Sequence, residues 1–242
     1  MTHAVVLLSG GLDSTTVASH ALGEGRAVRG LCVRYGQLHE REVESARAVA
    51  ERLGMPLDVA DASFYRELAW NSSLTGLEVS ALPAHRDPGE MAANIPSTYV
   101  PIRNTFLVTL AAAALESWML ALIERDGTDP RSLRPAIYVG ANAIDYSGYP
   151  DCRPEFYEAM EAVLFRGSKL GAQYGVAIRL ETPIIGMGKA DIVRHGLALG
   201  APLELTWSCY AGGSAPCGTC DSCLLRAAGF REAGLPDPAL AG

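Results

Sequence analysis

The sequence predicts an α/β fold in which a parallel sheet carries helices on both faces and a short cysteine-rich segment follows. Three observations lead there. Short, wholly apolar runs alternate with longer stretches of helical periodicity. A glycine-rich turn, Ser9-Gly10-Gly11-Leu12-Asp13-Ser14-Thr15, joins the first apolar run to the first helical one. Four of the six cysteines crowd between positions 209 and 223, where strand signals cease.

Residues 4–8 read as a strand buried on both faces, because a continuous apolar run bounded by glycine suits the middle of a parallel sheet. A helix is expected from residue 14 to about 22, a second strand over 28–33, and a strongly helical run over 39–53 closed by Gly54-Met55-Pro56. A third strand follows at 57–60. Residues 71–98 carry Pro, Gly and Ser without periodicity and read as a long loop over a site. Helix returns over 104–124, a polar break spans 127–135, and a fourth buried strand is expected at 137–140. One helical stretch over 154–174, a fifth strand at 176–180 and a helix over 189–199 complete the pattern. Ligands of such sheets sit at the carboxyl ends of the strands, where the motif-rich loops fall.

With 242 residues, 49% hydrophobic and 19% charged, the chain has ample material for one large core. The division expected is a nucleotide-binding and catalytic domain over 1–205 and a metal-binding segment over 206–242. A net charge of -7 argues against broad contact with nucleic acid or anionic membrane, since such surfaces need clustered Lys and Arg. The longest apolar run, residues 106–115, is too short to span a bilayer. Without a basic leader or cleavage signal, the expected compartment is cytoplasmic.

The glycine-rich turn follows a strand and opens a helix, where free backbone N–H groups and the helix dipole favour an anion. Gly10 and Gly11 permit close backbone approach to phosphate oxygens, Leu8 and Leu12 flank them, and Ser9, Ser14 and Thr15 offer hydroxyls. Asp13 can orient a magnesium ion or its waters. A glycine-rich turn with an Asp/Ser helix cap is the plainer alternative. The GxxxxGK[ST] spacing and its lysine are absent, which disfavours simple γ-phosphate hydrolysis. The run SGGLDS resembles the PP-loop superfamily, and this implies that the loop holds the pyrophosphate end of ATP during AMP transfer to a carboxylate, amide or carbonyl oxygen.

Cys209, Cys217, Cys220 and Cys223 have the spacing C-x7-C-x2-C-x2-C, which brings four thiolates within reach of one tetrahedral ion. Four sulfurs without histidine suit a closed, structural zinc site; an iron–sulfur cluster and unliganded thiols or disulfides are the competing readings. Cys32 reads as core filler. Cys152, in a polar loop, is read as structural in preference to a nucleophile.

Further residues concentrate in three loops. Tyr35-Gly36-Gln37-Leu38-His39 ends the second strand, where adenine or ribose would lie. Tyr99-Val100-Pro101-Ile102-Arg103-Asn104 presents a cation and an amide before a helix. The run after the fourth strand holds Asp145, Tyr146, Ser147, Tyr149, Asp151 and Arg153, a density of hydrogen-bonding groups that suits a flat ligand.

Over nearly its whole length the chain resembles the 7-cyano-7-deazaguanine synthase family of queuosine biosynthesis. The resemblance is carried by SGGLDSTT, YGQLH, VPIRN, DYSGYPDCRPEF, ETP followed by Lys189, TWSCY and PCGTCDSCLLR. Two departures are Ile102, where a small residue is usual before Arg-Asn, and residues 117–135, which read as a surface extension. The resemblance implies a PP-loop, adenine nucleotide α-hydrolase-like fold, a homodimer, and conversion of 7-carboxy-7-deazaguanine and ammonia to the nitrile with two ATP through an amide. On this reading Leu8 to Thr15, Tyr35, Gln37 and Asn104 bind nucleotide. Asp13, Arg103 and Lys189 serve catalysis, the two cations by stabilising developing negative charge. Asp145, Tyr146, Ser147, Tyr149, Asp151 and Arg153 hold the deazaguanine and its carboxylate. Free ammonia is the nitrogen donor, since no glutaminase domain is visible. The alternatives are another PP-loop amide synthetase, a relative that attaches a deazaguanine to a macromolecule, or a zinc-stapled nucleotide sensor.

Overall fold

The computed structural model describes residues 2–36, 41–75, 95, 97–142 and 149–240. Its strands are β1 (Thr2–Leu7), β2 (Ala27–Arg34), β3 (Leu57–Asp61), β4 (Arg134–Tyr138) and β5 (Arg179–Glu181). They form one sheet in the order β3-β2-β1-β4-β5, every pair parallel. Among the described residues its helices are α1 (Leu12–Gly23), α2 (Arg41–Arg52), α3 (Tyr65–Leu68), α4 (Arg103–Glu124), α5 (Pro154–Gly167), α6 (Lys169–Tyr174), α7 (Lys189–Ala198) and α8 (Asp221–Ala233). The strand order reverses beside β1, and the crevice there lies between the carboxyl ends of β1 and β4.

Strand alternation divides the core in two. Ala4, Val6 and Tyr138 meet Val17, Val49 and Ile192 from α1, α2 and α7 on one face. Val5, Ile137 and Val139 meet Val108, Leu115 and Met160 from α4 and α5 on the other. Both faces are covered, which is why the central strands β1, β2 and β4 read as mostly apolar runs.

Several expectations change. β4 begins at Arg134 and contains Pro135, which the sequence reading placed in a break; β5 pairs with β4 only from Ala136 onward, so the proline sits where the strand has a neighbour on one side alone. The ladder of β5 is shorter than the apolar run, because Val176 and Ile178 are buried ahead of it without pairing. The stretch 154–174 is two helices, not one: Ser168 ends α5 in an extended conformation and caps α6 by accepting the Gly171 N–H. Helices α3 and α8 were not anticipated. Residues 117–135 are not merely a surface extension, for they complete α4 and enter β4, burying Met119 and Leu133.

Helix α4 is 22 residues long and, by length and composition, apolar enough to cross a membrane, which the shorter run 106–115 did not suggest. In this fold it packs on the sheet through Val108, Ala111, Ala112, Leu115 and Met119. Its N-cap is Ile102, whose φ of 57° is left-handed. A β-branched residue there carries a backbone cost of about 1–3 kcal/mol. The Ile102 side chain is 59% exposed, so packing recovers little of that cost. Ile102→Gly is expected to raise stability by about 1 kcal/mol and Tm by roughly 2–4 °C, checked by calorimetry; an unchanged or lower Tm would show that the isoleucine is held by contacts beyond its own strain.

Candidate active site and metal centre

The phosphate loop is fixed by its neighbours before any ligand arrives. Gly10 has φ 79°, and a Cβ there would lie 2.5 Å from Ala46 N and 2.7 Å from Glu42 O, so only glycine allows α2 to approach so closely. Ser45 Oγ donates to Gly10 O at 2.7 Å and Trp207 N–H donates to the same oxygen at 3.0 Å. Within the loop, the Ser9 and Ser14 hydroxyls lie 3.0 Å apart and Ser14 Oγ also accepts the Ser9 N–H. Gly11 caps α1 without a side-chain hydrogen bond, which leaves first-turn N–H groups for an anion.

The loop opens on a cleft of about 310 Å³ at the carboxyl ends of β1, β2 and β4. Leu8, Ser9, Gly11, Leu12, Asp13 and Ser14 line it from the loop. Tyr35, Arg103, Asn104, Tyr149 and Lys189 line it from elsewhere, so residues 181 positions apart in sequence share one wall. Gly10 and Thr15 do not line the cleft. Gly10 faces α2, and Thr15 is fully buried with its hydroxyl unpartnered among the described residues. Gln37, Asp145, Tyr146 and Ser147 lie outside the described residues.

At the floor, Lys189 Nζ meets Asp13 Oδ2 at 2.5 Å and Asn142 Nδ2 donates to the same oxygen at 2.8 Å. Asp13 Oδ1 is buried and has no hydrogen-bond partner among the described residues. Such an atom is costly to leave unpaired and fits a hard divalent cation. Helix α7 presents Lys189 at its first position, and Gly188 caps that helix without a side-chain bond.

Arg103 enters from the start of α4. Its guanidinium lies 5.8 Å from the Tyr35 ring centroid, with Nη1 3.5 Å from Tyr35 Oη. Burial works against its charge, but the attraction of Tyr35, Tyr149 and Tyr210 outweighs it and holds its pKa above the usual arginine value. Among the described residues it has no carboxylate partner, leaving a cation available to an anionic ligand. Burial in turn pushes the Tyr35 phenol up, so it stays neutral.

The two ends of the substrate loop that are described behave differently. Tyr149 lines the cleft and its hydroxyl lies 2.9 Å from Thr98 Oγ1. Asp151 is buried beneath α4, where its carboxylate accepts the Asn104 backbone N–H at 3.1 Å. Arg153 is exposed at the N-cap of α5. Neither Asp151 nor Arg153 lines the cleft. Asn104 Nδ2 also donates to Asp151 O and Cys152 Sγ, tying this loop to the VPIRN turn. Cys152 does line the cleft. Cys32 is a buried thiol that desolvation pushes up to about 12, in keeping with core filler. Sequence reasoning missed Ser45, Asn142 and Trp207. Asn142 stood in the motif-rich run after β4, whereas Ser45 and Trp207 carry no local signal of their role.

The four cysteines form a second centre. Their Sγ atoms all lie within 4.8 Å of one another. Tetrahedral sulfurs around zinc would be about 3.8 Å apart, given Zn–S bonds near 2.3 Å, and Cys217 Sγ and Cys223 Sγ are 4.0 Å apart. Backbone N–H groups of Ala211 and Cys217 point at Cys209 Sγ, and those of Thr219 and Cys220 at Cys217 Sγ. Such donors stabilise thiolates. The Cys223 thiol hydrogen-bonds to Cys220 and pulls its pKa down to about 5, while the same contact pushes Cys223 up. The four cysteines can hold a metal ion, and all are free of disulfides.

The family profile described as "Queuosine biosynthesis protein QueC" matches residues 3–234. A 7-cyano-7-deazaguanine synthase of Thermoplasma acidophilum is 45% identical over 235 residues, covering 97% of this chain and 90% of the relative. The synthase of Trichodesmium erythraeum is 43% identical, covering 97% and 98%. That of Synechococcus elongatus is 43% identical over 244 residues, covering 100% and 96%.

Replacing Cys220 with Ser removes one sulfur of four and is expected to weaken metal binding at least about a hundredfold, roughly a quarter of the binding energy of a structural site. Competition with a chromophoric chelator measures this; wild-type affinity in the variant would remove Cys220 from the ligand set.

Proposed function

This chain belongs to the QueC family of queuosine biosynthesis proteins, and we propose that it acts as its curated relatives are named, as a 7-cyano-7-deazaguanine synthase. It is an ATP-dependent enzyme that makes a nitrile from 7-carboxy-7-deazaguanine and ammonia. The observation that carries the reading is the meeting, in one cleft, of a phosphate loop with two cations, Lys189 and Arg103, neither of them on that loop.

Nitrile formation asks one site to do the same thing twice. A carboxylate oxygen leaves poorly, so the carboxylate first attacks the α-phosphorus of ATP and displaces pyrophosphate. Ammonia then attacks the acyl carbon, and AMP departs to leave the amide. In the second round the amide oxygen attacks the α-phosphorus of a second ATP and displaces pyrophosphate, and loss of AMP and protons then completes the nitrile. Ser9, Ser14 and the free N–H groups of α1 hold the leaving pyrophosphate, with Leu8, Leu12, Tyr35 and Asn104 beside the nucleotide. Magnesium bound with ATP would neutralise phosphate charge beside Asp13 Oδ1. Lys189 counters negative charge at the transferring phosphoryl group. Arg103, without a competing carboxylate among the described residues, holds the substrate carboxylate and later its adenylated oxygen; its burial among tyrosines keeps water from screening it. Tyr149 lines the deazaguanine side of the cleft.

The further parts of the reading are zinc in the four-cysteine centre, a homodimer, no nucleic-acid or membrane partner, and a cytoplasmic address. Zinc is favoured by an all-sulfur donor set whose four Sγ atoms lie within 4.8 Å of one another, and it would hold residues 209–223 together as one folded loop. The acidic balance of the chain supports a small-molecule enzyme. Exposed apolar side chains such as Phe64, Leu68 and Ile102 are compatible with a second copy.

Incubation of the purified protein with 7-carboxy-7-deazaguanine, ammonium and Mg-ATP is expected to yield the nitrile by mass spectrometry with two AMP per base. ADP in place of AMP would overturn adenylation, and absence of any nitrile would overturn the substrate assignment. Lys189→Ala is expected to lower kcat by about 10²–10³ with the fold and metal content retained. Undiminished turnover would take Lys189 out of the mechanism.

A further inference from the structure

The geometry points to Asn142 as a positioning residue: it holds the Asp13 carboxylate so that one oxygen is committed to the protein and the other is kept for the divalent cation that accompanies ATP. The inference rests on the nucleotide site proposed above. Asp13 Oδ2 takes both available donors, Asn142 Nδ2 at 2.8 Å and Lys189 Nζ at 2.5 Å. Oδ1, which is shielded from solvent, takes none among the described residues. Two donors on one oxygen and none on its twin is an uneven arrangement for a buried carboxylate, which ordinarily spreads its hydrogen bonds. It is the arrangement expected if Oδ1 awaits a hard cation.

Asn142 is placed for this by the backbone. It is 1% exposed and stands two residues beyond Gly140, whose added Cβ would lie 3.2 Å from Ser14 N. The end of β4 is therefore pressed against the phosphate loop, and the carboxamide reaches Asp13 without a long flexible side chain. Its chemistry suits the task as well. An amide donates a hydrogen bond without adding charge, so it fixes the carboxylate without weakening its attraction for a cation, as a second permanent cation would. It also frees Lys189: when that ammonium turns to the reacting phosphoryl group, Asn142 still holds Oδ2, and the orientation of Oδ1 is kept.

The test uses the whole protein and α,β-methylene-ATP, which cannot be cleaved at the reacting bond. Binding is measured by calorimetry with and without Mg²⁺ for the wild type, for Asn142→Ala and for Asn142→Leu, which keeps the branched shape of the side chain without its donor. In the wild type Mg²⁺ is expected to tighten binding about tenfold or more. In both variants the gain is expected to fall below about threefold, while affinity without Mg²⁺ and cysteine-bound metal stay as in the wild type. The Mg²⁺ concentration giving half-maximal AMP release should rise in parallel. A variant that keeps the full Mg²⁺ gain overturns the inference. Equal loss of affinity with and without Mg²⁺ also overturns it, since that marks a packing role. A wild type that binds the nucleotide with no Mg²⁺ gain overturns the inference alone, and one that binds no nucleotide overturns the site reading with it.

Discussion

The carbonyl oxygen of Gly10 is the point on which the active cleft depends. It receives the Ser45 hydroxyl from α2 and the Trp207 N–H from the segment leading to the cysteines. Ser45 has one proton to give and shares it between Gly10 O and Leu205 O, at 2.7 and 2.6 Å. The first loop, the second helix and the terminal segment are thus joined at one buried junction. Each such bond contributes about 1 kcal/mol to stability. Their larger effect is geometric, since a loop that must present N–H groups to phosphate is useful only if its shape is set beforehand.

The terminal segment is bound into the body by more than its cysteines. Arg226, almost wholly buried, makes two hydrogen bonds to Asp237, at 2.6 and 2.8 Å, and reaches Thr206 Oγ1 and Leu203 O. Removing either member of a buried pair leaves an uncompensated charge and costs about 3–5 kcal/mol. Phe230 of α8 belongs to the same core as the phosphate-loop helix, and Gly229 allows α8 to touch the backbone of Lys189. The helix after the cysteines therefore helps set where α7 and its Lys189 begin.

The central strands β1, β2 and β4 were legible because they are largely buried and announce themselves as mostly apolar runs. The loop at the end of β1 was legible because glycines and hydroxyls at a strand–helix junction have few other uses. What was not legible was contact between distant segments. Asp151 and Arg153 looked alike as polar residues beside the cleft, yet one lies buried against the Asn104 N–H and the other faces solvent. Thr15 looked like one more hydroxyl in the loop, but helical geometry turns it away into the core. Helix α8 was hidden by the cysteines and glycines around it. Its apolar residues, Phe230 foremost, gain their meaning only once α7 is beside them.

Helices α1 and α7 lie together with their amino ends at the cleft, and both begin without a capping side chain. Each such end carries roughly half a positive charge, so the pair polarises the mouth of the cleft by about one charge without any residue that can titrate. At their other ends His20 and His195 lie in the final turns, 3.2 Å apart, at the negative ends of the two helix dipoles. A protein of net charge -7 thus offers polyphosphate a locally attractive entrance. That attraction is a property of the backbone, and it would survive extensive change in the surface charges of the chain.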